Sequence, residues 1–270
     1  MTPQLLFYIL IGILIINFLI DKILDAVNAK HFNDEIPETL KDVYKEQEYR
    51  KSQQYKEVNY RFGNVSTLFS LSITLIFFFL DGFELVDKIA RSYSDNNIII
   101  ALVFFAIIML GNGLISLPFS YYQTFVIEEK FGFNKTSKKT FVLDKIKSSF
   151  MTAIIGGGML SLVLWFFQMT GQNFWIYAWI IVALFSVFIN MFYSKLIVPL
   201  FNKQAPLEDG QLKDAINEYA EKVGFTLENI FVIDGSKRST KANAYFSGFG
   251  AQKRITLYDT LIHDLEQEEI

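Results

Sequence analysis

The sequence predicts an α-helical polytopic membrane protein that runs into the start of a cytosolic α+β domain. Three observations predict it. Hydrophobic residues make up 51% of the 270 residues, 28 of them Phe, and the mean hydropathy is +0.28. That excess falls in five uncharged runs, residues 5–20, 65–80, 98–119, 150–170 and 174–194. After residue 199 the pattern changes to a helix followed by short alternating strands.

A helix needs about 20 apolar residues to cross the hydrocarbon. The last three runs reach that length alone, while the first two need flanking residues or a tilt. Residues 5–20 are read as a retained anchor, because no basic n-region precedes them and no small-residue cleavage site follows. Lys and Arg number 8 in residues 21–62, 6 in 120–149 and 9 in 195–270, against 2 in 81–97. This asymmetry predicts that the N-terminus lies outside and the C-terminal region in the cytosol.

Residues 21–62 mix both signs of charge and predict a helix over 37–60. The segment 120–149 spreads Phe125, Val126, Phe131, Phe133, Phe141 and Val142 among its charges, which implies a packing surface. Its Glu128, Glu129 and Lys130 read either as a charged cytosolic loop or, since the aromatic residues around them need a packing surface, as a salt-bridged clamp between the membrane helices and the later domain. Asn17, Asn112, Gln168 and Asn190 interrupt the spans, and in lipid an unpaired amide is costly. They are expected to face other helices, as structural glue, or to line a polar cavity. The triplet Gly156-Gly157-Gly158 predicts close helix packing or a kink; it lacks the Lys and Ser/Thr of a phosphate loop. No Asp, Glu, Lys or Arg lies within the five runs, which counts against a proton-coupled transporter.

Residues 207–224 predict an amphipathic helix, capped by Asp209 and ended by Gly224. Residues 229–233, 244–249 and 254–258 predict strands, the last two as a hairpin about residues 250–253, with Gly248 marking a bulge or a close backbone approach. Residues 265–270 predict the first turn of a further helix, and an apolar hairpin without a covering helix implies a fold that is expected to continue beyond them. The predicted division is a membrane domain over 1–203 and a second domain over 204–270. Net charge is −3, which argues against a nucleic-acid partner; the lipid bilayer is the partner that composition implies. With no Cys the chain can form neither a disulfide nor a thiolate metal site, and His is nearly absent, only His31 and His263.

Three stretches carry a family resemblance. Residues 122–135 read YQTFVIEEKFGFNK and are followed by Asp144; residues 199–210 read PLFNKQAPLEDG; residues 234–262 contain GSKRSTKANAYFSGFG and RITLYDTLI. In this order they resemble the type I CAAX prenyl protease family, the multi-span zinc metallopeptidases of family M48. The resemblance implies seven membrane helices around a water-filled chamber and a metallopeptidase domain facing the cytosol. It implies removal of the last three residues from isoprenylated CAAX C-termini, or membrane-protein quality control in bacterial relatives. It also implies Zn²⁺ held by a His-Glu-x-x-His helix and a later Glu. That motif is absent from these residues. It is expected just beyond Ile270, so the chain is expected to bind no zinc and to be inactive alone. The rival reading is a non-catalytic membrane scaffold, or a protein that binds lipidated peptides on the same fold.

By the same resemblance, Asn243, Ala244, Tyr245 and Phe246 line the cleft and bind a peptide or protein substrate, with Asn243 near the scissile bond. On the residues alone a plainer account stays open, in which Asn243 caps a turn and Tyr245 and Phe246 fill the core. Lys237, Arg238 and Lys241 beside them predict a basic loop that faces lipid head groups or a substrate carboxylate.

Overall fold

The computed structural model describes residues 2–32, 34–225, 227, 229–249 and 253–270. Two compact units make up the chain, one of Met1–Asp95 with Val103–Phe131, the other of Asn96–Leu102 with Gly132–Ile270.

In the first unit, α1 (Pro3–Ala29) begins with proline at its first turn, and the Thr2 hydroxyl accepts the Leu5 N–H at 3.3 Å. It packs on α2 (Glu46–Phe79), where Lys22 Nζ donates to Asn64 Oδ1 at 2.6 Å. The expected helix over 37–60 is corrected in both directions. Residues Glu38–Leu40 form a separate 3-10 turn, and α2 runs unbroken for 34 residues, about 51 Å at 1.5 Å per residue. Its charged half and its apolar half are one helix, because no Pro interrupts the join near Phe62 and the helix accommodates Gly63.

Asp81, in the left-handed region at φ 53°, turns the chain into α3 (Gly82–Tyr93), a helix that the sequence reading passed over as loop. Next comes α4 (Asn97–Tyr122), which crosses from the second unit into the first and continues as a π-helical segment, Gln123–Glu128.

That π segment has an identifiable purpose. Residues five apart lie about 140° apart around an α-helix and cannot meet. An i→i+5 ladder stacks them. Gln123 Nε2 accordingly reaches Glu128 Oε1 at 3.2 Å and Asn59 Oδ1 at 2.8 Å, while the Tyr55 hydroxyl donates to Glu128. Two residues four apart on α2 are thus matched to two residues five apart on the π segment. Both of these partners of Glu128 lie within the first unit. Gln123→Ala removes both of its bonds in a half-buried site and is expected to cost about 1–2 kcal/mol. Thermal unfolding in detergent measures it, and an unchanged midpoint overturns it.

In the second unit, α5 (Lys138–Thr170) is capped by Ser137, whose hydroxyl accepts the Thr140 N–H at 3.0 Å. Gly171, at φ 56°, opens a 3-10 turn and reverses the chain into α6 (Phe174–Leu196), which packs back on α5. The stretches long and apolar enough to cross a bilayer are Pro3–Ala29, Glu46–Phe79, Asn97–Glu128 and the 64-residue Lys138–Phe201. The last contains both α5 and α6, so all five predicted runs are helices. The glycine triplet of α5 is not a tight contact. A Cβ at Gly156 or Gly158 would meet nothing within 4 Å, and one at Gly157 only Leu102 Cδ2 at 3.5 Å.

After the short α7 (Val198–Phe201) comes a four-stranded sheet of β1 (Gln204–Pro206), β2 (Asn229–Ile233), β3 (Ala244–Ser247) and β4 (Arg254–Tyr258), in the order β1-β2-β4-β3. β2 and β4 pair in parallel at the centre, and β1 and β3 are antiparallel edges. Ile230, Ile233, Thr256 and Leu257 of the central strands are buried. Between β1 and β2 lies α8 (Gln211–Lys222), shorter than the expected 207–224. Gly224 ends it at φ 70°, and the Phe225 N–H bonds the Ala220 carbonyl at 2.8 Å. Asp209 does not cap it. Gly210 takes that position, and Asp209 instead pairs with Lys213 at 2.7 Å, which holds its carboxyl below the usual range. Gly248, at φ 86°, lies just past β3 rather than inside a longer strand, and Gly250–Gln252 of the hairpin loop fall outside the described residues. A short helix, α9 (Asp259–Asp264), follows β4; a single turn comes after it, closed by the Ile270 N–H on the Glu266 carbonyl at 3.2 Å.

Candidate functional site

Of the residues singled out in the sequence, Ala244 to Phe246 lie in the outer strand of the sheet, β3, and Asn243 comes just before it. Among the described residues no further strand pairs with β3 on its far side. Its register fixes which backbone groups face out. The Tyr258 N–H bonds the Asn243 carbonyl at 3.0 Å, so Asn243 faces Tyr258 as a hydrogen-bonded pair. Such pairs alternate along an antiparallel ladder. Tyr245 opposite Thr256 and Ser247 opposite Arg254 therefore spend their backbone groups inward. The N–H and C=O of Ala244 and Phe246 point to the open edge.

The side chains follow the same division. Tyr245 is half-buried, its ring edge-on to Tyr258 with centroids 6.5 Å apart. Phe246 is 69% exposed and touches Phe225 at a centroid distance of 5.4 Å, so it does not fill the core. Asn243 Oδ1 accepts the Ala244 N–H at 2.9 Å, and its side chain bonds the Tyr258 hydroxyl. Burial pushes that hydroxyl above its ordinary pKa and nearby Tyr245 adds to the effect, while the Asn243 bond opposes it. β3 is also fastened to α6, where the Ser194 and Ser247 hydroxyls lie 2.5 Å apart. Beside that contact a groove of about 590 Å³ opens between Val187, Asn190 and Tyr193 of α6 and the segment from Tyr245 to Phe249. Asn190, one of the polar interruptions in the spans, thus lines a cavity; its Nδ2 donates to the Ser186 carbonyl at 2.8 Å.

What holds this edge in place is a residue that sequence reasoning misjudged. Arg238 is not part of a solvated basic loop. Its Nε and Nη2 grip Asp144 of α5 at 2.7 and 3.0 Å, and Nη2 also donates to the Phe201 carbonyl at 2.8 Å. The Arg238 carbonyl accepts the Lys135 N–H at 3.0 Å and the Thr136 hydroxyl at 3.1 Å, and Thr240 bonds back to Phe133 and Gly132. Lys237 and Lys241 are exposed, as expected of a solvated loop, and Lys241 lies over the Phe133 ring at 4.6 Å. The signal for Arg238 was present in the sequence as Asp144, an acid placed just after the first motif. At the far end of the segment the Ser236 N–H and hydroxyl bond Asp259. Burial alone would raise the Asp259 carboxyl; the bonds from Ser236 and the Thr260 N–H, with His263 nearby, outweigh it and hold the group below its usual range.

Arg238 therefore joins all three stretches that carried the family resemblance. Comparison with known proteins bears on this directly. A family described as CAAX prenyl protease N-terminal, five membrane helices, matches residues 26–203, and peptidase family M48 matches residues 206–270. The chain belongs to the CAAX prenyl protease family. A CAAX prenyl protease 1 homolog of Dictyostelium discoideum is 35% identical over 245 residues, 87% of this chain and 57% of that protein. CAAX prenyl protease 1 of Saccharomyces cerevisiae is 35% identical over 246 residues, 87% of this chain and 54% of that protein. The crystal structure of S. mikatae Ste24p matches with a TM-score of 0.90 at 35% identity, over 97% of this chain and 63% of that one. The chain thus spans between half and two-thirds of the length of these CAAX prenyl protease relatives.

The zinc expected of an M48 peptidase has no ligand set among the described residues, where no three His, Cys, Asp or Glu side chains converge. His263 follows Asp259 on α9 and has no histidine one turn away. What these residues offer is a backbone edge, a groove and a rigid mounting for both.

Proposed function

We propose that the complete protein is a zinc-dependent membrane metalloendopeptidase of the CAAX prenyl protease type, and that these residues supply the first five of its membrane helices and its substrate-binding edge. Residues 1–203 form the membrane domain and 204–270 the start of the peptidase domain. The excess of Lys and Arg in residues 195–270 supports a cytosolic peptidase domain. Substrates are proteins or peptides processed near the C-terminus, prenylated or not, or membrane proteins under quality control. No zinc ligand is assigned among these residues, and these residues alone are expected to be inactive.

The observation that carries this reading is the open edge of β3 in a chain of this family. An extended substrate would add as a further strand, with main-chain bonds to Ala244 and Phe246 giving affinity without demanding a sequence. The adjoining groove would receive side chains on one face. The Asn243 amide now occupies the Ala244 N–H; an arriving substrate carbonyl would take its place and free Asn243 to orient the peptide.

The test compares two substitutions at one residue in the complete protein. Phe246→Ala removes the ring and keeps the outward N–H. Phe246→Pro removes both and leaves the ladder to β4 intact, since proline is accepted at an edge strand whose N–H faces out. Loss of one main-chain bond of about 1.4 kcal/mol predicts a kcat/KM for Phe246→Pro about tenfold below that of Phe246→Ala. Equal kinetics for the two variants overturn the edge as the binding element.

A further inference from the structure

The helix α3 has no part in the site above. Its sequence, GFELVDKIARSY, divides cleanly around the axis at about 100° per residue. Gly82, Val86 and Ala90 form one buried line. Leu85, Ile89 and Tyr93 lie together beside it and are 60%, 38% and 73% exposed. Glu84, Asp87, Lys88 and Arg91 fall on the opposite side, where they pair among themselves, Lys88 with Glu84 at 2.5 Å and Arg91 with Asp87 at 2.7 Å. The helix thus has three sectors: one against protein, one apolar and open, one charged but neutral in sum.

Its leashes fix where it can lie. Two residues, Leu80 and Asp81, join it to α2, and three, residues 94–96, join it to α4. Three residues reach at most about 10 Å when extended. Both neighbours are long enough and apolar enough to cross a bilayer, and their joined ends must lie on the same side of it. Gly82 sits so close under Phe77 that a Cβ would stand 2.4 Å from the ring. Phe83 packs edge-on to Phe77 and Phe78 at 4.8 and 5.0 Å and stacks on Phe104 at 6.4 Å. The start of α3 is therefore pinned to the ends of the membrane helices.

We propose that α3 is an interfacial membrane helix, lying along the surface of the bilayer with Leu85, Ile89 and Tyr93 in the acyl–headgroup boundary and its charged face in water. An amphipathic helix held at this depth buries its apolar flank in lipid. The partner is a lipid surface rather than a protein, because the leashes keep the open flank at the level where lipid is the solvent. The lipid need not be anionic, because Glu84 and Asp87 cancel Lys88 and Arg91.

These 270 residues contain no cysteine, so once any cysteine elsewhere in the complete protein is replaced by serine, single substitutions label one site each. Leu85→Cys, Ile89→Cys and Lys88→Cys carry a nitroxide, and the protein is placed in phosphatidylcholine vesicles for power-saturation measurement against oxygen and a water-soluble nickel chelate. The expected result is an oxygen-to-nickel accessibility ratio at residues 85 and 89 at least about threefold that at residue 88. The pattern should persist when phosphatidylglycerol is included. Equal ratios at the three sites overturn the proposal, since the flank then faces water. Immobilised labels at 85 and 89, closed to both reagents, also overturn it, since a protein surface then covers the flank. Should Leu85→Cys fail to fold, Tyr93→Cys reads the same flank.

Discussion

Arg238→Ala is expected to destabilise the second unit by about 3 kcal/mol. The guanidinium makes two charge-assisted bonds to Asp144 and a third to the Phe201 carbonyl, and each side chain of the pair is only 24% exposed. Removing one partner of a buried pair costs about 3–5 kcal/mol, because the other charge is left without compensation. Two features bring the figure to the lower end. The pair is partly solvated, and Arg238 Nη1 is buried without a partner, so the native arrangement already bears a desolvation cost. Arg238→Lys restores the charge but not the fork and should recover no more than about half of the loss. Asp144→Ala should cost a similar amount, and the double variant should cost clearly less than the two together. Denaturant or thermal unfolding in detergent, with limited proteolysis of residues 234–243, reads these effects. A cost for Arg238→Ala below about 0.5 kcal/mol, the level of an exposed ion pair, overturns the assignment.

The weight placed on Arg238 also marks where sequence reading succeeds and where it stops. The five membrane helices were legible because an uncharged run near 20 residues has no polar face to turn to water, so lipid is the solvent that suits it. The positions of β2 and β4 were legible to the residue, because short apolar strands bounded by turn residues give a local signal. The hairpin was legible too; its place at the rim was not. That depends on β2 pairing in parallel with β4, a contact between segments 25 residues apart that no local pattern encodes. Arg238 and Asp144 are 94 residues apart, so from sequence Arg238 was only one of three neighbouring cations. The continuity of α2 was hidden because half of the helix is charged and half apolar. The π segment was hidden because its cause lies on another helix, in the spacing of Tyr55 and Asn59. By contrast α3 was legible and overlooked: Gly82, Val86 and Ala90 recur at four-residue spacing, opposite a tight set of charges.

Gly235→Ala is the second substitution expected to have a large effect, and its reach extends to the candidate site. Gly235 is buried under the ring of Tyr258; a Cβ there would lie 2.3 Å from Cδ1 and 3.0 Å from Cγ and Cε1. No real contact is that short, so the ring must move. The ring is rigid and stands at the end of β4, and its hydroxyl is bonded to the Asn243 side chain, so the movement passes to the strand edge. Overpacking of this kind costs about 1–3 kcal/mol. In the complete protein the displaced Asn243 should also lower turnover, whereas a purely local strain would lower stability alone. Tyr258→Ala separates the two. With the ring gone, adding Gly235→Ala should cost less than about 0.5 kcal/mol, a strongly non-additive pair. If the two costs simply add, the glycine is not required by the tyrosine, and the coupling from the turn at Gly235 to the candidate edge is refuted.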